Sequence, residues 1–346
     1  MKQFILKVSG GGLLLLTILH LATLMTPYYW GNESVVAKFN YFEAEQESFD
    51  IIFLGSSRFY FQIDPTTVDQ TLDNNFHSFN MASAAVYVPE MYYLYERLLP
   101  SLAEQDVKYA VLELQRIDAP TETEQTRKNY FLTYDLLSLA LKSIWQSPHW
   151  EKYGYQSTIT KNYLIGYMHN FLKLNFRGVI DYWYQSYHTD IKPVGYTGFV
   201  VEDNDESFHE YRAQIRTNFL ENDLALFQTT HEAVKQLYAP NEHDLHLDQV
   251  HLAKINELIE QSENTGVHLI FVLPPRLFPE YYTELLPLWQ EIPPQHRIDL
   301  ANPYLYPQFY SLDYSLDTVH LTLNGALLFS ESLANELKPI ITENDG

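Results

Sequence analysis

Apolar residues dominate the chain from Val8 to Met25, with Lys2 and Lys7 on the amino-terminal side and no formal charge inside the run. That is close to the ~20 residues a helix needs to cross a bilayer. The positive-inside rule keeps those lysines in the cytoplasm and places everything after Thr26 outside it. A cleaved signal peptide is the competing reading, with a small-residue site near Ala22, but the run is longer than a typical signal core. Residues 27–48 then read as a juxtamembrane segment, with Tyr28, Tyr29 and Trp30 suited to a membrane interface.

From Asp50 onward, short apolar runs alternate with helical stripes. Asp50 to Leu54 is a continuous run closed by Gly55, the pattern of a buried parallel strand. Phe76 to Met81 forms a second strand, and a helix follows near Pro89 with Met91, Leu94, Tyr95, Leu98 and Leu99 on one face. Val107 to Leu114 returns as a strand. Leu247 to Asn264 is a helix stopped by Gly266, Val267 to Leu273 a strong buried strand, and His296 to Leu300 a weaker one. Thr322 to Leu337 closes the chain as a helix, with Ala326, Leu327, Leu333, Ala334 and Leu337 inward and Pro339 after it. This alternation predicts an α/β protein, a three-layer α/β/α sandwich around a central parallel sheet.

The stretch from about 119 to 240 breaks the rhythm. It is rich in Tyr, Phe and Trp, contains helical segments such as Tyr134 to Trp145 and Ile159 to Tyr187, and lacks clear strands. It reads as a helical insertion at the carboxyl edge of the sheet, where insertions shape substrate sites or simply shield the sheet. The chain thus divides into an anchor (1–26), the segment 27–48, and one α/β domain (49–346) carrying the insertion.

Composition narrows the chemistry. A net charge of −22 argues against nucleic acid and anionic lipid headgroups as main partners, although solubility alone also explains it. Cysteine is absent, which excludes disulfides, thiolate metal sites, a cysteine nucleophile and a lipoprotein anchor. His243, Asp244, His246, Asp248 and His251 cluster in sequence, but their spacing fits no compact ligand motif, so no metal is expected.

Two short motifs carry the candidate chemistry. Gly55-Ser56-Ser57 follows the first strand, so a serine hydroxyl projects from the carboxyl end of the sheet, and the N–H of Ser57 is available to a developing oxyanion. The same turn can equally be a helix cap. Asp317-Thr318-Val319-His320 precedes the last helix, and its spacing lets the carboxylate reach the imidazole while the other ring nitrogen faces a serine. Together they supply a nucleophile, a base and a carboxylate. Arg58 follows the turn and either binds an anionic substrate group or pairs with a carboxylate. Tyr182, Trp183, Tyr184 and Tyr196 are the aromatic residues placed to stack on sugar rings; most other rings belong to the core.

With these motifs the chain resembles the SGNH (GDSL-type) hydrolase superfamily. Ile51-Ile52-Phe53-Leu54-Gly55-Ser56-Ser57-Arg58 is similar to its first block, and Ser57 matches the nucleophile position. Asp317 and His320, followed by Gly325, resemble the last block, and Phe79-Asn80-Met81-Ala82-Ser83 the second. The resemblance implies an oxyanion hole of the Ser57 and Ala82 N–H groups. The third block departs: Val111 to Asp118 has no Asn, and Gln115 is the side-chain amide that can replace it. The resemblance covers residues 50–118 and 246–338 loosely and leaves out the insertion.

A Gly-Ser-Ser block behind one anchor looks most like the membrane-anchored branch that includes D-alanyl-transfer proteins of teichoic acid modification and alginate O-acetylation proteins. This implies an extracytoplasmic O-acyltransferase with an acyl donor, a glycan acceptor and, as partner, a multi-span membrane acyltransferase. No metal or organic cofactor is implied. An esterase or deacetylase of the same fold, and a non-catalytic glycan-binding or assembly protein, remain the alternatives.

Overall fold

Ile51–Leu54 consists of four apolar residues with no polar alternation, so it is stable only where both faces are covered. It forms β1 of a five-stranded parallel sheet with Ser78–Asn80 (β2), Tyr109–Glu113 (β3), His268–Leu273 (β4) and Arg297–Asp299 (β5). The order is β2-β1-β3-β4-β5, and β1 pairs Ile51 with Ser78 on one side and with Tyr109 on the other. The chain leaves β1 toward one edge and resumes at β3 on its other side. The carboxyl ends of β1 and β3 therefore flank the point where the strand order reverses, the position at which open α/β sheets place ligands. The computed structural model describes residues 1–31, 33–44, 49–117, 129–148, 151, 154–174, 176–186, 197–199, 206–239, 245–276 and 278–344.

Thirteen α-helices are described: Lys2–Thr23 (α1), Glu33–Ala44 (α2), Ser57–Gln62 (α3), Pro65–Thr71 (α4), Glu90–Glu104 (α5), Tyr134–Gln146 (α6), Gln156–Phe171 (α7), Phe176–Ser186 (α8), Glu206–Asn218 (α9), Leu224–Leu237 (α10), Gln249–Glu263 (α11), Pro279–Glu291 (α12) and Leu323–Asn344 (α13). The helix α1 is long and apolar enough to span a membrane, and no residue of its apolar window is buried. α5 shows why the later helices form: Met91, Leu94, Tyr95, Leu98 and Leu102 share one buried stripe, and Tyr95 Oη meets Ser262 Oγ of α11 at 2.6 Å.

Three expectations need correction. The segment 27–48 is not an interfacial lead: Tyr29 and Trp30 are buried, and α2 sets Val35, Val36, Phe39 and Phe42 into the same core, with Tyr41 stacked on Phe79 of β2 at 5.5 Å. Its apolar spacing is that of a helix stripe, which the three leading rings masked. The last helix does not stop before Pro339 but continues through it, because Leu337 and Ile341 on either side are both buried and hold the axis. The helix expected over 159–187 is broken in two, with Lys173 at φ +54° in the turn between α7 and α8.

The described part of the insertion contains helices and no named strand. Residues 197–199 return to the sheet, where the Asn80 N–H donates to Thr197 O at 2.9 Å. The exposed edge of β2 is thereby partly covered. Gly198 has φ +77°, and a Cβ there would stand 2.1 Å from Asn80 O, so only glycine lets this strap approach.

Candidate active site

The turn after β1 is built around a buried carboxylate. Glu113, the last residue of β3, is fully buried and accepts the Ser56 N–H at 2.6 Å, the Ser56 hydroxyl at 2.8 Å, the Arg58 Nε–H at 2.5 Å and the Gln115 amide at 2.9 Å. A Cβ on Gly55 would lie 2.8 Å from Glu113 Oε2, which is why glycine precedes the two serines. Ser56 caps α3 and faces inward. Ser57 begins the helix and faces the other way, toward the carboxyl end of the sheet. Two adjacent serines thus have opposite tasks, one structural and one open to chemistry.

Ser57 Oγ lies 2.9 Å from His320 Nε2, and His320 Nδ1 lies 2.8 Å from Asp317 Oδ2. Asp317 Oδ1 accepts the N–H groups of Val319 and His320 at 2.6 and 2.5 Å, so the carboxylate is fixed by its own loop. Burial alone would raise the Asp317 pKa. The hydrogen bond and charge of His320, with those two backbone N–H groups, outweigh burial and hold it below the usual carboxylate value. Asp317 is therefore ionised throughout the neutral range, and its contribution to stability is lost only as pH falls through that lowered value. Both side chains are about a quarter exposed, at 24% each, so a substrate can reach them. Phe61 meets the imidazole edge-on at a centroid distance of 5.9 Å.

The loop that carries Asp317 and His320 is held by arginines. Arg276, after β4, donates to Ser315 Oγ and to the Asp317 carbonyl. Arg216 of α9 donates to the carbonyls of Ser315 and of Leu312, the latter at 2.7 Å, and Arg212 reaches Leu321 O at 3.3 Å. Burial pushes the Arg276 guanidinium down to about 10, against the pull of Asp317. The insertion therefore reaches the site through α9: it clamps the acid–base loop.

Ser57, Asp317 and His320 are brought together; the supporting residues are not used as expected. Arg58 is buried, and its Nε–H is spent on Glu113 rather than facing a substrate. Burial would lower its pKa, but the charge and hydrogen bond of Glu113, with smaller contributions from Tyr87 and Tyr281, together outweigh burial and raise it. Gln115 donates to Glu113 and to Val86 O at 3.4 Å and accepts the Val88 N–H at 3.2 Å, which leaves its amide no hydrogen for an oxyanion. The Ala82 N–H is taken by Asn80 Oδ1 at 3.0 Å. The Ser57 N–H, by contrast, has no acceptor among the described residues, as the first N–H of a helix should not.

Among the described residues of the histidine-rich segment, each side chain has a separate setting. Asp248 caps α11, His251 is buried against Tyr92 Oη at 2.7 Å with its pKa lowered to about 4 chiefly by burial, and His246 is exposed. His243 and Asp244, like Tyr196, lie outside the described residues. Glu263, His268 and His296 do gather with donor atoms within 4.8 Å, at the amino end of the sheet and away from Ser57. There His296 Nε2 lies 3.1 Å from Glu263 Oε1, and its ring stacks on His268 at 4.5 Å.

Glu113, Asn80, Lys38 and the arginine clamp were not anticipated. A lone carboxylate inside Val-Leu-Glu-Leu demands a buried partner, and Arg212 and Arg216, four apart, share one helix face. Lys38 of α2 is buried and donates to Asn80 O at 2.8 Å and Ala82 O at 2.6 Å, a contact with no local signature. The chain matches no model of a known protein family and no curated protein. Its functional reading accordingly rests on the site. Asp317→Asn should preserve the fold yet lower any Ser57-dependent turnover by roughly 10²–10⁴-fold by losing the productive tautomer, checked as kcat on an activated ester.

Proposed function

We propose that this chain is a membrane-anchored, SGNH-like serine acyltransferase that modifies a glycan outside the cytoplasm. The observation that carries the reading is the pair of contacts, 2.9 Å and 2.8 Å, linking Ser57 to His320 and His320 to Asp317. The superfamily resemblance, a three-layer arrangement of the sheet and its helices, and the cytoplasmic placement of Lys2 and Lys7 belong to the same proposal.

His320 Nε2 takes the Ser57 proton as Oγ attacks the donor's ester carbonyl. The tetrahedral oxyanion accepts the free Ser57 N–H, a donor of the kind that contributes about 3 kcal/mol. Collapse expels the donor's alcohol, protonated by His320, and leaves the acyl group on Ser57. A sugar hydroxyl then attacks the acyl-enzyme while His320 removes its proton; the new glycan ester departs and Ser57 is regenerated. Asp317 holds the imidazole throughout. A multi-span membrane acyltransferase is the natural supplier of the acyl group.

Hydrolysis is the second reading, favoured by the open position of the triad: water replaces the sugar hydroxyl in the last step. Incubation of the full chain with p-nitrophenyl acetate should leave an acetyl group on the Ser57 peptide, read by mass spectrometry. Adding a glycan acceptor should discharge it into an O-acetyl product rather than acetate. Acetate as the sole product would favour the hydrolase, and absence of acetyl-Ser57 with no product would remove both.

A further inference from the structure

The insertion presents an apolar surface where a water-facing surface should be polar. Along α7 the exposed positions Ser157, Lys161, Leu164, Met168 and Phe171 fall on one helical face, opposite buried Ile159, Tyr163 and Gly166. The last three exposed residues of that face are apolar, inverting the usual pattern of a surface helix. Leu174 in the turn, and Ile180 and Tyr184 one turn apart on α8, extend it. These six side chains are between 44% and 70% exposed. Exposed apolar side chains gathered on neighbouring elements in this way mark a contact with something else.

Two further observations say what covers it. α1 packs against α8, and His20, near the domain-side end of α1, meets Phe171 edge-on at 6.4 Å. His20 is three residues from the helix end at Thr23, or about 5 Å along the axis at 1.5 Å per residue, so Phe171 sits at the depth of the headgroup boundary. Charge is also distributed unevenly. In a chain of net charge −22, residues 152–186 include Lys152, Lys161, Lys173 and Arg177 against a single carboxylate, Asp181. That stretch suits phospholipid phosphates, which the rest of the surface repels.

We propose that α7 and α8 lie on the bilayer surface beside the anchor, with Leu164, Met168, Phe171, Leu174, Ile180 and Tyr184 seated among the phospholipid headgroups. The inference rests on the reading of α1 as a membrane span. A single helix would leave the domain free to tilt. A second contact beside it fixes the height and orientation of Ser57 over the membrane, as delivery of an acyl group from a membrane-embedded donor requires.

Because the chain contains no cysteine, single labels are unambiguous. Leu14→Cys, Phe171→Cys, Ile180→Cys and Glu260→Cys variants of the full chain, labelled with bimane and reconstituted in phosphatidylcholine–phosphatidylglycerol vesicles, are compared without nitroxide phospholipid, with one labelled at the headgroup and with one labelled deep in the acyl chain. The shallow nitroxide should quench the labels at 171 and 180 by at least half, the deep one should do the same to the label at 14, and the label at exposed Glu260 should lose almost none with either. Quenching at 14 with none at 171 and 180 would overturn the docking surface and leave the anchor standing. An unquenched label at 14 would overturn the anchor reading itself; quenching confined to 171 and 180 would then keep the docking surface.

Discussion

Glu113→Ala is expected to destabilise the protein by ~3–5 kcal/mol, the cost of leaving one partner of a buried ion pair uncompensated. Four donors converge on this carboxylate: the Ser56 N–H and hydroxyl, Arg58 and Gln115. Its removal strands a guanidinium and three neutral donors in the core, beneath the turn that presents Ser57. The melting midpoint of the full chain should fall by about 10 °C, measured by circular dichroism. Replacing both partners, Glu113→Leu with Arg58→Met, should lose less than Glu113→Ala alone, because no unpaired charge remains. Equal or greater loss in the double variant would show that the pair is not the source of the effect.

The second large effect concerns chemistry rather than stability. His320→Ala should lower turnover of an activated ester by roughly 10³–10⁶-fold, Ser57→Ala should do the same, and the double variant should be no worse than either. Residues that act as one unit lose their joint contribution at the first deletion. Both side chains are partly exposed and neither belongs to the core, so the melting midpoint should stay within about 2 °C of wild type. Multiplying losses in the double variant would mean that the two residues act independently and would contradict the hydrogen-bonded arrangement.

β1, β3 and β4 were legible because buried parallel strands are short, mainly apolar runs; the edge strands β2 and β5, Ser-Phe-Asn and Arg-Ile-Asp, carry one central apolar residue each, and all five fall inside the expected stretches. Their ends were less so: Phe76 to Met81 contracts to Ser78–Asn80, since pairing with β1, not apolarity, sets its length. Ser57, His320 and Asp317 could be picked out because each stands next to an element that aims it. The supporting residues could not. Arg58 and Gln115 were assigned toward a substrate because the sequence does not reveal that Glu113 points under the turn and takes both. Ala82 keeps its N–H, but Asn80, two residues earlier, accepts it. The contacts of Arg216, Arg276 and Lys38 join segments tens of residues or more apart, and no local pattern records them.

Ser57 as nucleophile is tested by intact-mass and peptide analysis of the full chain after treatment with a fluorophosphonate. Wild type, Ser56→Ala, Ser57→Ala and His320→Ala are compared. Wild type should carry one adduct, on the Ser57 peptide, since His320 Nε2 is positioned to activate that hydroxyl. Ser57→Ala and His320→Ala should carry none, and a folded Ser56→Ala sample should retain it. No adduct on folded wild type, or an adduct that persists in Ser57→Ala, would contradict a Ser57 nucleophile.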